Sequence, residues 1–383
     1  MGIRKRLKMI TAKSNEAINA LLLERITAGD FPSAVYLVAE KGEVVFADAL
    51  GLSVRVPEKS LATIETIYDL ASLTKPLITG LLSAILLERD VFKLDDAVGL
   101  YLPEFEKEGK GSLTFRHLLT HTSGFPAWRP FYLLTDDRRK ILEKIANEKL
   151  ETKPSTSVKY SDLNFITLGF ALERMTGLKL DVLAQREIFD PLKLQNTFFN
   201  PPSSLKNKIA ASEIGNAHEK KTCEDEGFDA SCYAWREDVI WGEVHDGNAH
   251  FMRGVSGHAG LFSNAEETLK IALQFLPEHT QLLKKETCEL FRQNMTEGLE
   301  EHRSFSWQLA STKDSTASTE LSPDSFGHLG FTGTSVWIDA RRDRVFILLT
   351  NRTHDHALPL VLINSTRRKF HSIASIELNQ KHK

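Results

Sequence analysis

The sequence predicts a mixed α/β (α+β) protein, with an antiparallel sheet built from strands at both ends of the chain, helices flanking it, and a mainly helical insertion between. Three observations predict this. Near the start, Ser33 to Glu40 and Glu43 to Leu50 are two β-type runs joined by Lys41-Gly42, a hairpin signal. Near the end, Ser335 to Asp339 and Arg344 to Thr350 form a second β-pair across a charged turn. The long stretch between carries helical rather than alternating periodicity. The expected division of this single unit puts the sheet in residues 1–90 and 235–383 and the helical part in 91–234, with a cleft where the two meet.

Taken in order, Ser14 to Ala28 carries Ile18, Leu21, Leu22 and Ile26 on one face, an amphipathic helix ahead of the first hairpin. Leu77, Ile78, Leu81, Leu82, Ile85 and Leu86 recur at helical spacing and predict a mostly buried helix from about Ser72 to Arg89. Helices follow near Thr114 to Thr120, Asp136 to Lys149 and Leu163 to Thr176, the last ended by Gly177. Ala265 to Leu276 and Lys284 to Asn294 read as helical, and Leu360 to Phe370 as a closing helix. Asn216 to Ser231 is polar and irregular, and Lys313 to Ser325, rich in Ser, Thr and Asp, reads as an exposed loop.

Composition excludes several function classes. The chain has 383 residues, 42% hydrophobic and 26% charged, with a formal net charge of -3, an ordinary globular balance without the basic face that a nucleic-acid partner needs. Cys223, Cys232 and Cys288 are odd in number and lack metal-ligand spacing, so they read as reduced thiols. The N-terminal Met1-Gly2-Ile3-Arg4-Lys5-Arg6-Leu7-Lys8 is basic like a signal n-region, but Lys13, Asn15 and Glu16 break the apolar segment that should follow. No continuous apolar run of about 20 residues stands out as a membrane span. The expectation is a cytoplasmic protein, with a periplasmic one as the alternative. The oligomeric state is left open.

The densest chemical signal is Ser72-Leu73-Thr74-Lys75-Pro76. Proline has no N–H and is tolerated only in the first turn of a helix, so Pro76 pins the helix start near Ser72. Residues i and i+3 share a face, which lays the Lys75 amine over the Ser72 hydroxyl. Burial and the positive helix end both disfavour ammonium, pushing Lys75 toward the neutral amine of a general base. The Ser72 N–H, free at the helix start, can form half of an oxyanion hole. Taken alone, the same serine reads as well as an N-cap.

Other segments supply candidates. Tyr160-Ser161-Asp162-Leu163-Asn164 stands at a helix entrance, where a tyrosine can enter a cleft and a nearby lysine would lower its pKa; the plainer alternative is a core tyrosine before a cap. Phe326-Gly327-His328-Leu329-Gly330-Phe331-Thr332-Gly333 precedes a strand, and its glycines, Gly330 among them, let backbone approach a ligand and offer a second oxyanion N–H. His117 and His121 lack a third metal ligand and read as structural. His245, in Val244 to Ala249, and His258, in Gly254 to Gly260, are candidate substrate contacts.

Together these segments resemble the serine hydrolase family of class C β-lactamases, D-alanyl-D-alanine peptidases and related esterases. The match runs in family order through Ser72-Leu73-Thr74-Lys75, Tyr160-Ser161-Asp162 and His328-Leu329-Gly330, and Phe115 to Pro126 is similar to a further family hallmark. The resemblance covers about Ile18 to Thr350. It implies acyl transfer without metal or cofactor. Ser72 would be the nucleophile, Lys75 and Tyr160 the proton carriers, and the N–H groups of Ser72 and Phe331 the oxyanion donors.

Two departures bear on the substrate. Asp162 stands where β-lactamases carry Asn, placing a carboxylate near Lys75 that favours its charged form and moves more of the base role to Tyr160. His328 stands where penicillin-recognising enzymes have Lys, which weakens capture of a substrate carboxylate. Trp241 to Ala249 and Gly257 to Ser263 look similar to the branch that includes N-acetylmuramoyl-L-alanine amidases. The leading expectation is therefore an amidase acting on muropeptides through Ser72, with Asp162, His328, Gly330, His245 and His258 binding substrate. The alternatives are a carboxylesterase on small acyl esters, a weak β-lactamase or D-alanyl-D-alanine carboxypeptidase, and a non-catalytic muropeptide-binding protein.

Overall fold

The computed structural model describes residues 13–106 and 110–381. The basic segment at residues 1–8 lies outside them. Among the described residues ten strands form: β1 (Ser33–Glu40), β2 (Glu43–Val54), β3 (Ser60–Leu61), β4 (Tyr68–Asp69), β5 (Phe198–Phe199), β6 (Leu261–Ser263), β7 (Gln308–Leu309), β8 (Phe326–Leu329), β9 (Ser335–Asp339) and β10 (Arg344–Thr350). Seven make an antiparallel sheet in the order β3-β2-β1-β10-β9-β8-β7, so the N-terminal hairpin and the C-terminal strands meet along β1 and β10. A small second sheet, β4-β6-β5, lies beside the Ser72 turn.

Successive side chains on a strand point to opposite faces, and here both faces are covered. Val35, Leu37, Val345, Ile347 and Leu349 face the large core shared with the insertion helices. Ala34, Tyr36, Val38, Phe346 and Leu348 face the helices Glu16–Thr27 and Asn364–Gln380. This double burial explains why β1 and β10 read as continuous apolar runs rather than alternating ones. Lys41 and Gly42 close the first hairpin with φ of 53° and 75°, the left-handed pair that a tight turn requires.

The helices Phe115–Leu119, Ile141–Asn147, Asp162–Thr176 and Ala265–Ala272 form where their periodicity places them. Four expectations change. Asn216 to Ser231 is not irregular throughout: Ala217–Asp225 is a helix, because buried Cys223 and Glu219 give a polar segment an inner face. Lys285–Phe291 winds as a 3-10 helix rather than an α-helix. The closing helix starts later and runs further, at Asn364–Gln380. Lys313 to Ser325 is a loop but is tucked in, with Thr316, Ala317, Ser318 and Leu321 buried and Thr316 Oγ1 accepting from Trp337 Nε1 at 3.1 Å. Ala71–Glu88 is long and apolar enough by composition to cross a bilayer, yet 83% of it is packed inside the protein.

Close backbone approach fixes how the loop carrying His258 meets the helix Asp162–Thr176. A Cβ on Gly257 would stand 2.0 Å from the Phe165 carbonyl oxygen and 3.0 Å from the Gly169 N. Neither is a side-chain end that can swing away. Gly257→Ala is therefore expected to destabilise by about 1–3 kcal/mol, as overpacking does, read as a lowered denaturant midpoint at unchanged m-value. An unchanged midpoint would mean that the loop does not pack as described.

Candidate active site

Ser72 lies on a 3-10 turn, Ala71–Leu73, immediately after β4. Ala71 has φ 48°, a left-handed conformation uncommon for alanine, and Asp69 Oδ1 supports it by accepting the Ala71 N–H at 2.8 Å. Lys75–Gly80 then winds as a π-helix before the α-helix Leu81–Glu88. The regular helix expected from Ser72 is thus three windings in succession, and Pro76 sits at the second position of the π segment, where a missing N–H costs nothing.

Lys75 is fully buried. Its Nζ donates to Ser72 Oγ at 2.9 Å and to the His258 carbonyl at 3.2 Å, and forms an ion pair with Asp162 Oδ1 at 2.7 Å. Burial, the largest single influence, pulls its pKa down, but Asp162 and Tyr160 outweigh it and leave the net shift upward. The sequence argument from burial and the helix end toward a neutral amine is overturned by this counterion. At rest Lys75 is an ammonium.

Tyr160 stands over the same amine, 5.0 Å from Nζ to the ring centroid, with its hydroxyl interacting with Ser72 and Lys75. Its ring is held between His121 at 4.6 Å and His328 at 5.8 Å. The expected lowering by lysine is reversed: burial, the largest cause, and Asp162 raise the phenol above its ordinary value despite Lys75. His121 Nδ1 lies 3.1 Å from both the Ser161 N and Asn164 Nδ2, which fixes the tyrosine segment, while His117 completes a capping box with Thr114. The two histidines have separate structural roles.

The Phe331 turn is tied to the backbone ahead of Ser72. Thr332 Oγ1 donates to the Asp69 carbonyl at 2.7 Å and Thr334 Oγ1 to the Leu70 carbonyl at 3.1 Å. Gly330 allows the approach, since a Cβ there would stand 2.6 Å from the Leu70 oxygen. The Phe331 N–H has no hydrogen-bond partner among the described residues. Its carbonyl accepts from Arg352 Nε at 2.7 Å, and its ring lies under that guanidinium at 5.0 Å.

Ser72, Tyr160, His328, Gly330 and Phe331 line one cavity of about 290 Å³. His328 Nδ1 lies 2.9 Å from the Leu329 carbonyl, and burial, then Lys75 and Arg303, hold its pKa well below the usual imidazole value. Three of the expected substrate contacts do not line the cavity: Asp162, which pairs with Lys75 instead, and two histidines. His245 is buried behind Phe331, stacked on its ring at 5.5 Å and paired with Glu213 at 2.8 Å. His258 is buried beneath Lys75, its Nε2 3.0 Å from Asp246 Oδ1. Both belong to the supporting wall because their rings already have protein partners.

Sequence reasoning missed three arginines in the same cavity, Arg303, Arg352 and Arg367. Arg303 pairs with Glu301. Arg352 and Arg367 have no carboxylate partner among the described residues and donate to neutral groups, Arg367 to the Gly330 and Thr334 carbonyls. Burial, with Arg352 adding, pushes Arg367 down to about 9. Asp69 was also missed, although its side chain holds both the Ala71 and His245 N–H groups at 2.8 Å. Single arginines and a single aspartate carry no local spacing signal, and only the fold converges them.

A family model described as Beta-lactamase matches residues 18–363. The chain belongs to the beta-lactamase family. It is a serine hydrolase of that fold. A putative D-alanyl-D-alanine carboxypeptidase of Escherichia coli (strain K12) is 32% identical over 355 residues, covering 85% of this chain and 79% of that protein. An N-acetylmuramyl-L-alanine amidase of Bacillus subtilis (strain 168) is 30% identical over 365 residues, covering 87% and 80%. Among solved structures, a beta-lactamase/D-alanine carboxypeptidase from Pseudomonas syringae superposes with a TM-score of 0.72 at 15% identity, covering 94% of this chain and 98% of that one. EstCE1, a hydrolase with promiscuous acyltransferase activity, superposes with a TM-score of 0.69 at 21% identity, covering 93% and 97%. At these identities the superpositions show the fold.

For this beta-lactamase-family protein, intact-mass spectrometry after fluorophosphonate treatment should show one adduct, absent from Ser72→Ala. Equal labelling of that variant would remove Ser72 from the nucleophile position.

Proposed function

We propose that the protein hydrolyses an amide bond in peptidoglycan-derived muropeptides through an acyl-enzyme on Ser72. The observation that carries the substrate class is the pair of buried guanidiniums, Arg352 and Arg367, in the Ser72 cavity without a carboxylate to balance them. A buried charge is stabilised only when paired. A substrate carboxylate would supply the missing charge, and peptidoglycan stem peptides carry several. The relatives named as amidase and carboxypeptidase support the same class. The weakness expected from His328 is thereby offset from another part of the fold.

The resting charges order the proton steps. Once Lys75 has released its proton, the neutral amine, 2.9 Å from Ser72 Oγ, takes the Ser72 proton as Oγ attacks the carbonyl carbon. The oxyanion is held by the Ser72 and Phe331 N–H groups. Tyr160 gives its proton to the departing amine nitrogen and is reprotonated by Lys75. Water then attacks the ester, returning Ser72 and releasing the acid.

Muropeptide products distinguish the leading reading from a second one. Incubation followed by mass spectrometry should show the stem peptide separated from N-acetylmuramic acid, the amidase outcome. Release of terminal D-alanine instead would establish the carboxypeptidase reading, which a carboxylate subsite bordering Ser72 favours. Turnover of p-nitrophenyl esters alone would overturn both.

The arginine cavity gives a separate expectation. Amidating the carboxylate of whichever muropeptide is cleaved should lower kcat/KM by about tenfold or more, the scale of a charge-assisted pair, and Arg352→Gln should narrow that ratio. Equal rates on acid and amide would remove the carboxylate subsite.

A further inference from the structure

Asp246 and His258 lie outside the proton steps above, yet they stand directly beneath the lysine on which those steps turn. His258 touches Lys75 through its carbonyl, at 3.2 Å from Nζ. Its ring is pinned at both ends, by Ser256 Oγ at 2.7 Å from Nδ1 and by Asp246 Oδ1 at 3.0 Å from Nε2. Asp246 Oδ1 also accepts the Ala249 N–H at 2.7 Å, capping the turn Gly247–Phe251. The carboxylates of Asp162 and Asp246 and the His258 ring nitrogen lie within 4.8 Å of one another. One carboxylate therefore pairs with the ammonium, and a second stands close behind the first.

We infer that Asp246 and His258 are positioning residues for Lys75: the pinned His258 carbonyl sets where the amine sits, and the Asp246 carboxylate helps to set how firmly it holds its proton. The inference rests on the reading of Ser72 as nucleophile. Its physical content is a charge balance. Asp246 favours ammonium on Lys75, as Asp162 does, while the His258 ring nitrogen at 3.0 Å holds the Asp246 carboxylate in place. Burial, the largest influence, raises the Asp246 pKa, but His258, the Ala249 N–H and Lys75 outweigh it and hold the carboxyl below its ordinary value. Around this core, Tyr160 and His328 face Lys75 from the cleft, with Arg303 behind them, and Asp69, Glu219 and His245 face Asp246 from the other side.

The pH dependence of Ser72 labelling by a fluorophosphonate tests this on the full chain without any natural substrate. Asp246→Asn keeps an acceptor for Ala249 and His258, since Asn caps as well as Asp, and removes only the charge. Loss of a negative charge near an ammonium lowers its pKa, so the midpoint of the rising labelling curve should move to lower pH. Labelling at pH 7 should then quicken by about three- to tenfold, as for a shift of half to one unit. His258→Gln loses the ring held between Ser256 and Asp246, so the carbonyl on Lys75 is no longer fixed and labelling should slow. Asp246→Ala, which loses cap and tether as well as the charge, should lower the plateau of the labelling curve at high pH. An unmoved midpoint in folded Asp246→Asn protein, or unchanged labelling in folded His258→Gln protein, each checked by thermal unfolding, would overturn the inference and leave the nucleophile standing. Failure of the wild-type protein to label would sink both.

Discussion

A fully buried ammonium is the constraint on which the site depends. Lys75 has no access to water, and an unpaired charge in that position would be expelled or neutralised. What holds it is a convergence of three chain segments: the Ser72 turn, the start of the helix Asp162–Thr176, and the loop through His258. Each is anchored by a contact that tolerates little movement. Gly257 touches the Phe165 backbone, Thr79 Oγ1 donates to the Gly257 carbonyl at 2.7 Å, and the Leu261 N–H donates to Thr74 Oγ1 at 3.1 Å. Helices and loops from distant parts of the chain are thus joined around Lys75.

How much of this was legible in the sequence follows from the range of each interaction. The hairpin at Lys41-Gly42, the doubly covered strands and the helix ended by Gly177 are determined by neighbours within a few residues, and periodicity finds them. The Ser72 to Lys75 spacing is also local, which is why their contact could be foreseen. The winding that carries it could not, because the π segment answers to tertiary contacts such as Gly80 against Ser306, where an added Cβ would stand 2.3 Å from Oγ. The helix Ala217–Asp225 escaped for a similar reason: Glu219 is polar in the sequence but buried in the fold, where it accepts the Gly247 N–H at 3.2 Å.

Charge was the least legible property. The argument for a neutral Lys75 weighed only burial and the helix end, whereas the outcome follows the departure at Asp162, which arrives at 2.7 Å from another segment and favours the charged form as its place in the motif implied. The same holds for Tyr160, where desolvation outweighs a lysine that sequence alone would credit with activating it. His245 and His258 looked available for substrate because polar, glycine-rich segments resemble cleft loops. In the fold their rings are committed to Glu213, Ser256 and Asp246. Histidine can bind or support, and only its partners decide.

The proposed oxyanion donors show why such support matters. Two N–H groups serve one oxygen only if their separation is fixed before the reaction, because stabilisation comes from dipoles that need not reorganise. Ser72 and Phe331 belong to segments more than 250 positions apart, so local structure cannot fix that separation. Asp69 does so at the level of single bonds. Its side chain holds the Ala71 and His245 N–H groups, and its carbonyl accepts Thr332 Oγ1. His245 in turn stacks on the Phe331 ring while Arg352 holds the Phe331 carbonyl. Arg352 therefore links two functions through one side chain. The guanidinium that holds the Phe331 carbonyl also lines the cavity where a substrate carboxylate would balance its charge, so in the proposed reaction binding an anionic substrate would tighten the turn that offers the second oxyanion donor.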